Sequence, residues 1–181
     1  MKEIKTPKIK RYRLGVSRNF PATHARKGEP TYFIEKINSG LSKYEDRLSV
    51  SIGLNKISKK IHTIRGNYEL WAKRMAEVQA GKAVIELFYW SGKPYHKDEN
   101  GVGQVVFATL DKYSGCGVQE LGFTGNEIEF PKIDTILKSY WINIGALAKN
   151  DGLSLEDFKE WFKKYDLSKP MALINFTKFR Y

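Results

Sequence analysis

The chain holds one cysteine, Cys116, and three histidines in 181 residues. A lone cysteine excludes an internal disulfide framework and fits a reducing cytoplasm. No apolar run approaches the length of a membrane span. Ala83 to Trp90 is too short and carries Glu86, so no membrane association is expected. No His, Cys and carboxylate cluster has metal-site spacing, so neither a metal nor another cofactor is expected. Acidic residues are also scarce: 20 Asp and Glu against 31 Lys and Arg give a formal charge of +11. That balance favours a polyanionic partner, nucleic acid first. No basic amphipathic helix stands out to suggest a membrane surface instead.

What is present suits one domain with a buried core. Ten Tyr, ten Phe and four Trp provide flat surface for packing or stacking. Among residues 1–28 the basic side chains Lys2, Lys5, Lys8, Lys10, Arg11, Arg13, Arg18, Arg26 and Lys27 dominate, which reads as a basic N-terminal arm with a strand near Tyr12 to Ser17. It has no apolar h-region, so no export signal is expected. Residues 29–181 read as the domain proper.

Pro30 to Asn38 predicts a short helix, closed by Ser39-Gly40. Residues 41–58 are mixed and polar, with a candidate strand at Leu48 to Ile52. Asn67 to Gln79 predicts a helix with Leu70, Trp71, Met75 and Val78 on one stripe. Strands are expected at Ala83 to Trp90, Val105 to Leu110, Gly117 to Phe123, Glu127 to Phe130 and Met171 to Phe179. Ile133, Ile136, Leu137, Tyr140, Trp141, Ile144 and Leu147 recur at helical spacing, which places Trp141 in the core. Ser154 caps a further helix carrying Phe158, Trp161, Phe162 and Tyr165, with Leu153 and Phe158 as a staple. The class is α+β.

The segment Lys59-Lys60-Ile61-His62-Thr63-Ile64-Arg65 carries the chemistry. It offers a base, a hydroxyl nucleophile and an anion-binding fork within a strand-like run. A threonine hydroxyl needs a base to take its proton, and a lysine serves only when burial or a neighbouring cation lowers its proton affinity. Regular alternation would set Lys60 and Thr63 on opposite faces. They meet only if Lys60 precedes the strand or a bulge re-aims it. The plainer readings are phosphate contacts by Lys60 and Arg65, a β-forming Thr63, and an Asp151 that only stabilises the Asn150-Asp151-Gly152 turn. His62 reads as packed or solvent-facing rather than a ligand, and Cys116 as structural.

The Lys60 to Arg65 run resembles the Lys-to-Arg portion of the signature of ASCH domains, a branch of the PUA-like superfamily. Here Ser58-Lys59 stands where a glycine-containing pair is usual. The chain is further similar to small ASCH proteins of the Bacteroides and phage type through Phe33, Lys36, Ile37 and Gly40, then Lys60 to Arg65, Trp71, and Leu147 to Gly152. Residues 41–58 are an insertion relative to them. The resemblance implies a small mixed β-barrel with flanking helices, binding RNA or a modified nucleoside in a basic pocket. In one branch, acetylcytidine amidohydrolase, a Lys-x-x-Thr pair and a distant carboxylate remove an acetyl group from a cytidine base. Carried over, these are Lys60, Thr63 and Asp151, the last standing where a glutamate is usual. Arg65, Lys59, Trp71, Trp90, Lys93 and Tyr95 are the expected anion- or nucleic-acid-binding residues. An accessory protein of a phage or mobile element, binding another protein, is the remaining alternative.

Overall fold

The computed structural model describes residues 9–41 and 58–181. The candidate strand at 48–52 lies outside the described residues, as do residues 1–8 and all but the ends of the 41–58 insertion. In chain order the first elements are β1 (Lys10–Gly15), α1 (Phe33–Leu41), β2 (His62–Gly66), α2 (Tyr68–Gln79), β3 (Ala83–Trp90) and β4 (Gln104–Leu110). There follow β5 (Gly117–Phe123), a 3-10 turn (Thr124–Asn126), β6 (Pro131–Asp134), β7 (Ser139–Trp141), α3 (Ile144–Asn150), α4 (Leu155–Phe162) and β8 (Met171–Asn175).

The strands form two open sheets, ordered β1-β3-β4 and β2-β8-β5-β6-β7. β1 runs parallel to β3, with Lys10 opposite Ala83 and Gly15 opposite Phe88. The larger sheet is antiparallel throughout. The architecture is α+β with two sheets, and no ring of paired strands closes among the described residues.

α2 joins the sheets by packing on β3, β5 and β8. Asn67 starts it, its side chain accepting from Leu70 N at 3.1 Å, and Gly81 at φ 72° turns the chain away. Trp71, Met75 and Val78 are buried along its inner face, whereas Leu70 is exposed. The stripe is thus narrower than the spacing suggests.

The basic segment read as an arm is, from residue 9, built into the core. Leu14, Val16 and Phe20 are buried, and Glu86, buried on β3, pairs with Arg11 and Arg13 of β1. His24 stacks on Phe20 with ring centroids 4.5 Å apart, and its Nε2 lies 3.2 Å from the Asp157 carbonyl oxygen of α4.

The helix expected across 133–147 is mostly absent. Pro131–Asp134 and Ser139–Trp141 form a hairpin, with Ile133 opposite Tyr140 and Thr135 N donating to Lys138 O at 3.0 Å. Only Ile144–Asn150 is helical, begun by Asn143, whose side chain accepts from Ala146 N. The apolar spacing fits either period over so short a window; the Thr135 turn and Pro131 at the head of β6 decide for strand. Ile136 and Leu137 therefore lie at the exposed tip, and Trp141 is 61% exposed rather than core. Glu127 to Phe130 is likewise a turn, closed by Phe130 N donating to Glu127 O at 3.1 Å. The Ser154-capped helix forms as expected but ends at Phe162, leaving Tyr165 exposed.

Candidate functional site

The strand begins at His62, so Lys60 stands before it, free of its alternation. Three segments meet at Lys60 and Ile61. Lys60 N donates to Lys36 O of α1 at 3.0 Å, Ile61 N donates to Asn150 O of α3 at 2.9 Å, and Phe176 N donates to Ile61 O at 2.9 Å. Gly40 lets α1 lie this close, since a Cβ there would sit 2.8 Å from Lys60 O. Gly152, at φ 78°, takes a conformation that L side chains rarely adopt, and a Cβ there would lie 3.0 Å from Lys60 Cβ.

Held so, the Lys60 side chain is 2% exposed. Its Nζ donates to Asp151 Oδ1 and to Asp151 O, both at 2.6 Å, and lies 4.3 Å from the centroid of the Phe33 ring. Lys36 Nζ donates to Gly152 O at 2.7 Å beside it. Burial pushes the Lys60 ammonium down to about 8, against the opposing pull of Asp151, with Arg65 and Lys36 pushing the same way as burial. Burial by itself would raise Asp151, but the Lys60 charge and the His62 ring hold it below the usual carboxylate range.

Thr63 is buried, and its Oγ1 accepts from Arg65 Nη1 at 2.9 Å. Arg65 also donates from Nη1 to Ile64 O at 2.9 Å and from Nη2 to Gly15 O at 2.7 Å. Among the described residues no carboxylate lies within ion-pair distance of Arg65. Lys60, Thr63, Arg65 and Asp151 line one recess with Phe33 and Trp161. Its cavity volume is about 20 Å³, room for about one water. No direct hydrogen bond joins Lys60 to Thr63 among the described residues.

The other expected binding residues lie elsewhere. Lys59 is exposed next to the recess residues in sequence. Trp71 does not line the recess: it is buried on α2, with Arg74 stacked on its ring at 4.8 Å. Trp161 of α4 lines it instead. Trp90, Lys93 and Tyr95 form a separate surface at the end of β3, where the Trp90 and Tyr95 rings are 5.1 Å apart and Tyr95 is 88% exposed. Residues 16–18 connect the two places. Val16 and Ser17 line the recess, while Arg18 donates to Ser91 O at 3.3 Å and stacks on Tyr89.

Sequence reading gave His62 only a packed or solvent-facing place and passed over Tyr181. His62 is fully buried, with Nδ1 3.5 Å from Asp151 Oδ1 and Nε2 3.0 Å from the Tyr181 hydroxyl. Nothing in local spacing ties Tyr181 to residue 62; only the packing of the chain after β8 brings them together. Among the described residues no group of three or more His, Cys, Asp or Glu side chains is placed to hold a metal ion. Nor is any described helix long and apolar enough to cross a membrane. Comparison of the chain with family models, curated proteins and solved structures finds no match.

Proposed function

We propose that this chain is a PUA-like domain of the ASCH type that takes up RNA or a modified nucleoside at the Lys60 to Arg65 recess. The observation that carries the reading is Arg65, a partly buried guanidinium at the recess, answered by neutral oxygens alone among the described residues. Three of its five N–H groups are used there, which leaves two for an incoming anionic or carbonyl oxygen. The +11 charge favours the same class of ligand. The exposed Tyr95 and half-buried Trp90 rings, with the Lys93 cation, supply a surface on which flanking bases can stack. Since the recess admits about one water, the ligand inserts one polar atom there and lays its ring across the mouth.

Short single-stranded RNA, followed by fluorescence anisotropy across a salt series, tests this. Affinity should fall as salt rises, by a slope of about −0.7 per phosphate neutralised. Arg65→Met should weaken binding about tenfold or more, corresponding to a contact of roughly 1–3 kcal/mol. Binding that ignores salt, or that Arg65→Met leaves intact, removes the proposal.

The Lys60–Asp151 pair beside Thr63 favours a second reading, hydrolysis of an N-acyl group on a cytidine base. Neutral Lys60 would take the Thr63 proton as Oγ1 bonds to the acyl carbon, with Arg65 facing the oxyanion. The C–N bond then breaks, and the Lys60 ammonium returns the proton to the leaving nitrogen. Water cleaves the resulting Thr63 ester and releases the carboxylic acid. A lysine brought down to about 8 carries a usable neutral fraction near physiological pH. Incubation with a series of acylated cytidines should release free cytidine, and Thr63→Ala and Lys60→Met should each lower the rate by about 10² or more. Absence of turnover in the wild type, or turnover that survives both substitutions, ends this reading.

A further inference from the structure

His62 lies beside the Lys60–Asp151 pair without lining the recess, and its two ring nitrogens have one neighbour each. Nδ1 is buried without a hydrogen bond of ordinary length, and Asp151 Oδ1, the oxygen that Lys60 Nζ grips, lies 3.5 Å away. Nε2 lies 3.0 Å from the Tyr181 hydroxyl. That hydroxyl accepts from Asn150 Nδ2 at 2.9 Å, so its lone proton is free to be donated. It can go to His62 Nε2 at 3.0 Å or to Ala146 O at 3.4 Å, and the shorter path leads to the histidine.

Two neutral tautomers are available, and burial keeps the ring neutral. With the proton on Nε2, a lone pair would point at a carboxylate inside a buried site, where unscreened repulsion is strongest. With the proton on Nδ1, an N–H points at Asp151 and Nε2 accepts from Tyr181. Burial raises Tyr181 to about 12, so its hydroxyl keeps its proton throughout the physiological range. Every donor in the series then points the same way, from Asn150 through Tyr181 and His62 to Asp151.

We infer that Tyr181 and Asp151 together fix the Nδ1–H tautomer of His62, and that His62 is a positioning residue which shares Asp151 Oδ1 with Lys60 and so sets how readily Lys60 gives up its proton. The inference deepens the reading of the Lys60 site proposed above and rests on it for its consequence, but not for its test. The charged and titratable groups facing the pair are Lys36 from α1, His62 and Arg65 from β2, and Tyr181 after β8. Of these, only Tyr181 reaches Asp151 through the histidine.

The test uses the full chain without substrate. Nitrogen-15 spectra report the His62 tautomer, and carbon-13 shifts of labelled lysine report the Lys60 titration. In the wild type His62 should be protonated on Nδ1. Tyr181→Phe keeps the ring and removes the hydroxyl that donates to Nε2; it should admit a measurable share of the Nε2–H tautomer beside the Nδ1–H form that Asp151 still favours, and raise the Lys60 midpoint by about half a pH unit. His62→Gln, whose amide can still donate to Asp151, should restore most of the wild-type midpoint in the Tyr181→Phe background. An Nε2–H tautomer in the wild type, or a Lys60 midpoint that Tyr181→Phe leaves unmoved, overturns the inference. Neither readout needs RNA binding or turnover, so failure of the functional reading is seen separately.

Discussion

Lys60 is the residue on which the site depends, and its burial has a consequence for stability. Its proton affinity in the fold corresponds to about 8, against an ordinary 10.5. Between those values the unfolded chain binds more protons than the folded one, so stability rises with pH; below about 8 both states are protonated and the dependence vanishes. Tyr181 works in the opposite sense above its ordinary 10.0, because the fold raises it to about 12. The useful window is therefore between pH 8 and 10. Thermal melts in that window should show wild-type stability climbing relative to Lys60→Met. A difference between the two proteins that stays flat with pH would mean that the buried ammonium is not what the geometry makes it.

At the scale of elements, the site is an appointment kept by α1, β2 and the turn between α3 and α4, and glycines decide how closely they meet. Replacing a helical glycine by alanine ordinarily stabilises a helix by about 0.5–1 kcal/mol. At Gly40, the sign should reverse, because the added Cβ would meet the Lys60 carbonyl oxygen at 2.8 Å and neither backbone can yield alone. Gly40→Ala should lower the urea midpoint by an amount equivalent to about 1–3 kcal/mol. A stabilised Gly40→Ala protein would show that α1 is not seated on Lys60. This contact also explains what was legible beforehand. Phe33, Lys36, Gly40 and Gly152 stood out as separate blocks of sequence, and the fold gathers them around one residue: a ring under its ammonium, a carbonyl for its N–H, and two positions without a Cβ. The hairpin Pro131–Trp141 was not legible, since seven apolar positions satisfied a helical period while cross-strand pairing of Ile133 with Tyr140 satisfied a strand one.

For the whole molecule, the +11 charge is a field rather than a set of free hands. Lys10 pairs with Glu77, Arg11 and Arg13 with Glu86, and Arg26 with Glu29 and Asp157. These cations hold β1 and the following segment against β3, α2 and α4, so they are poorly placed to neutralise phosphates. The salt slope of RNA binding should accordingly reflect few contacts, well below the number of basic residues in the first 27. A slope equal to that full count would require the β1 ion pairs to open on binding.

Local pattern alone determined the α+β class, most of the strands, the helix starts at Asn67 and Ser154, and the basic balance of the surface. These follow from side-chain period, capping chemistry and net charge, which act over a few residues or depend only on composition. Tertiary structure decided the rest. It placed Lys60 ahead of its strand rather than within it, set Trp161 and not Trp71 beside the recess, and brought Tyr181 to His62. Each of those outcomes depends on contacts between residues far apart in the chain. Burial gave Lys60 its lowered proton affinity for the same reason: desolvation is a property of what surrounds a group, and no neighbour in sequence supplies it.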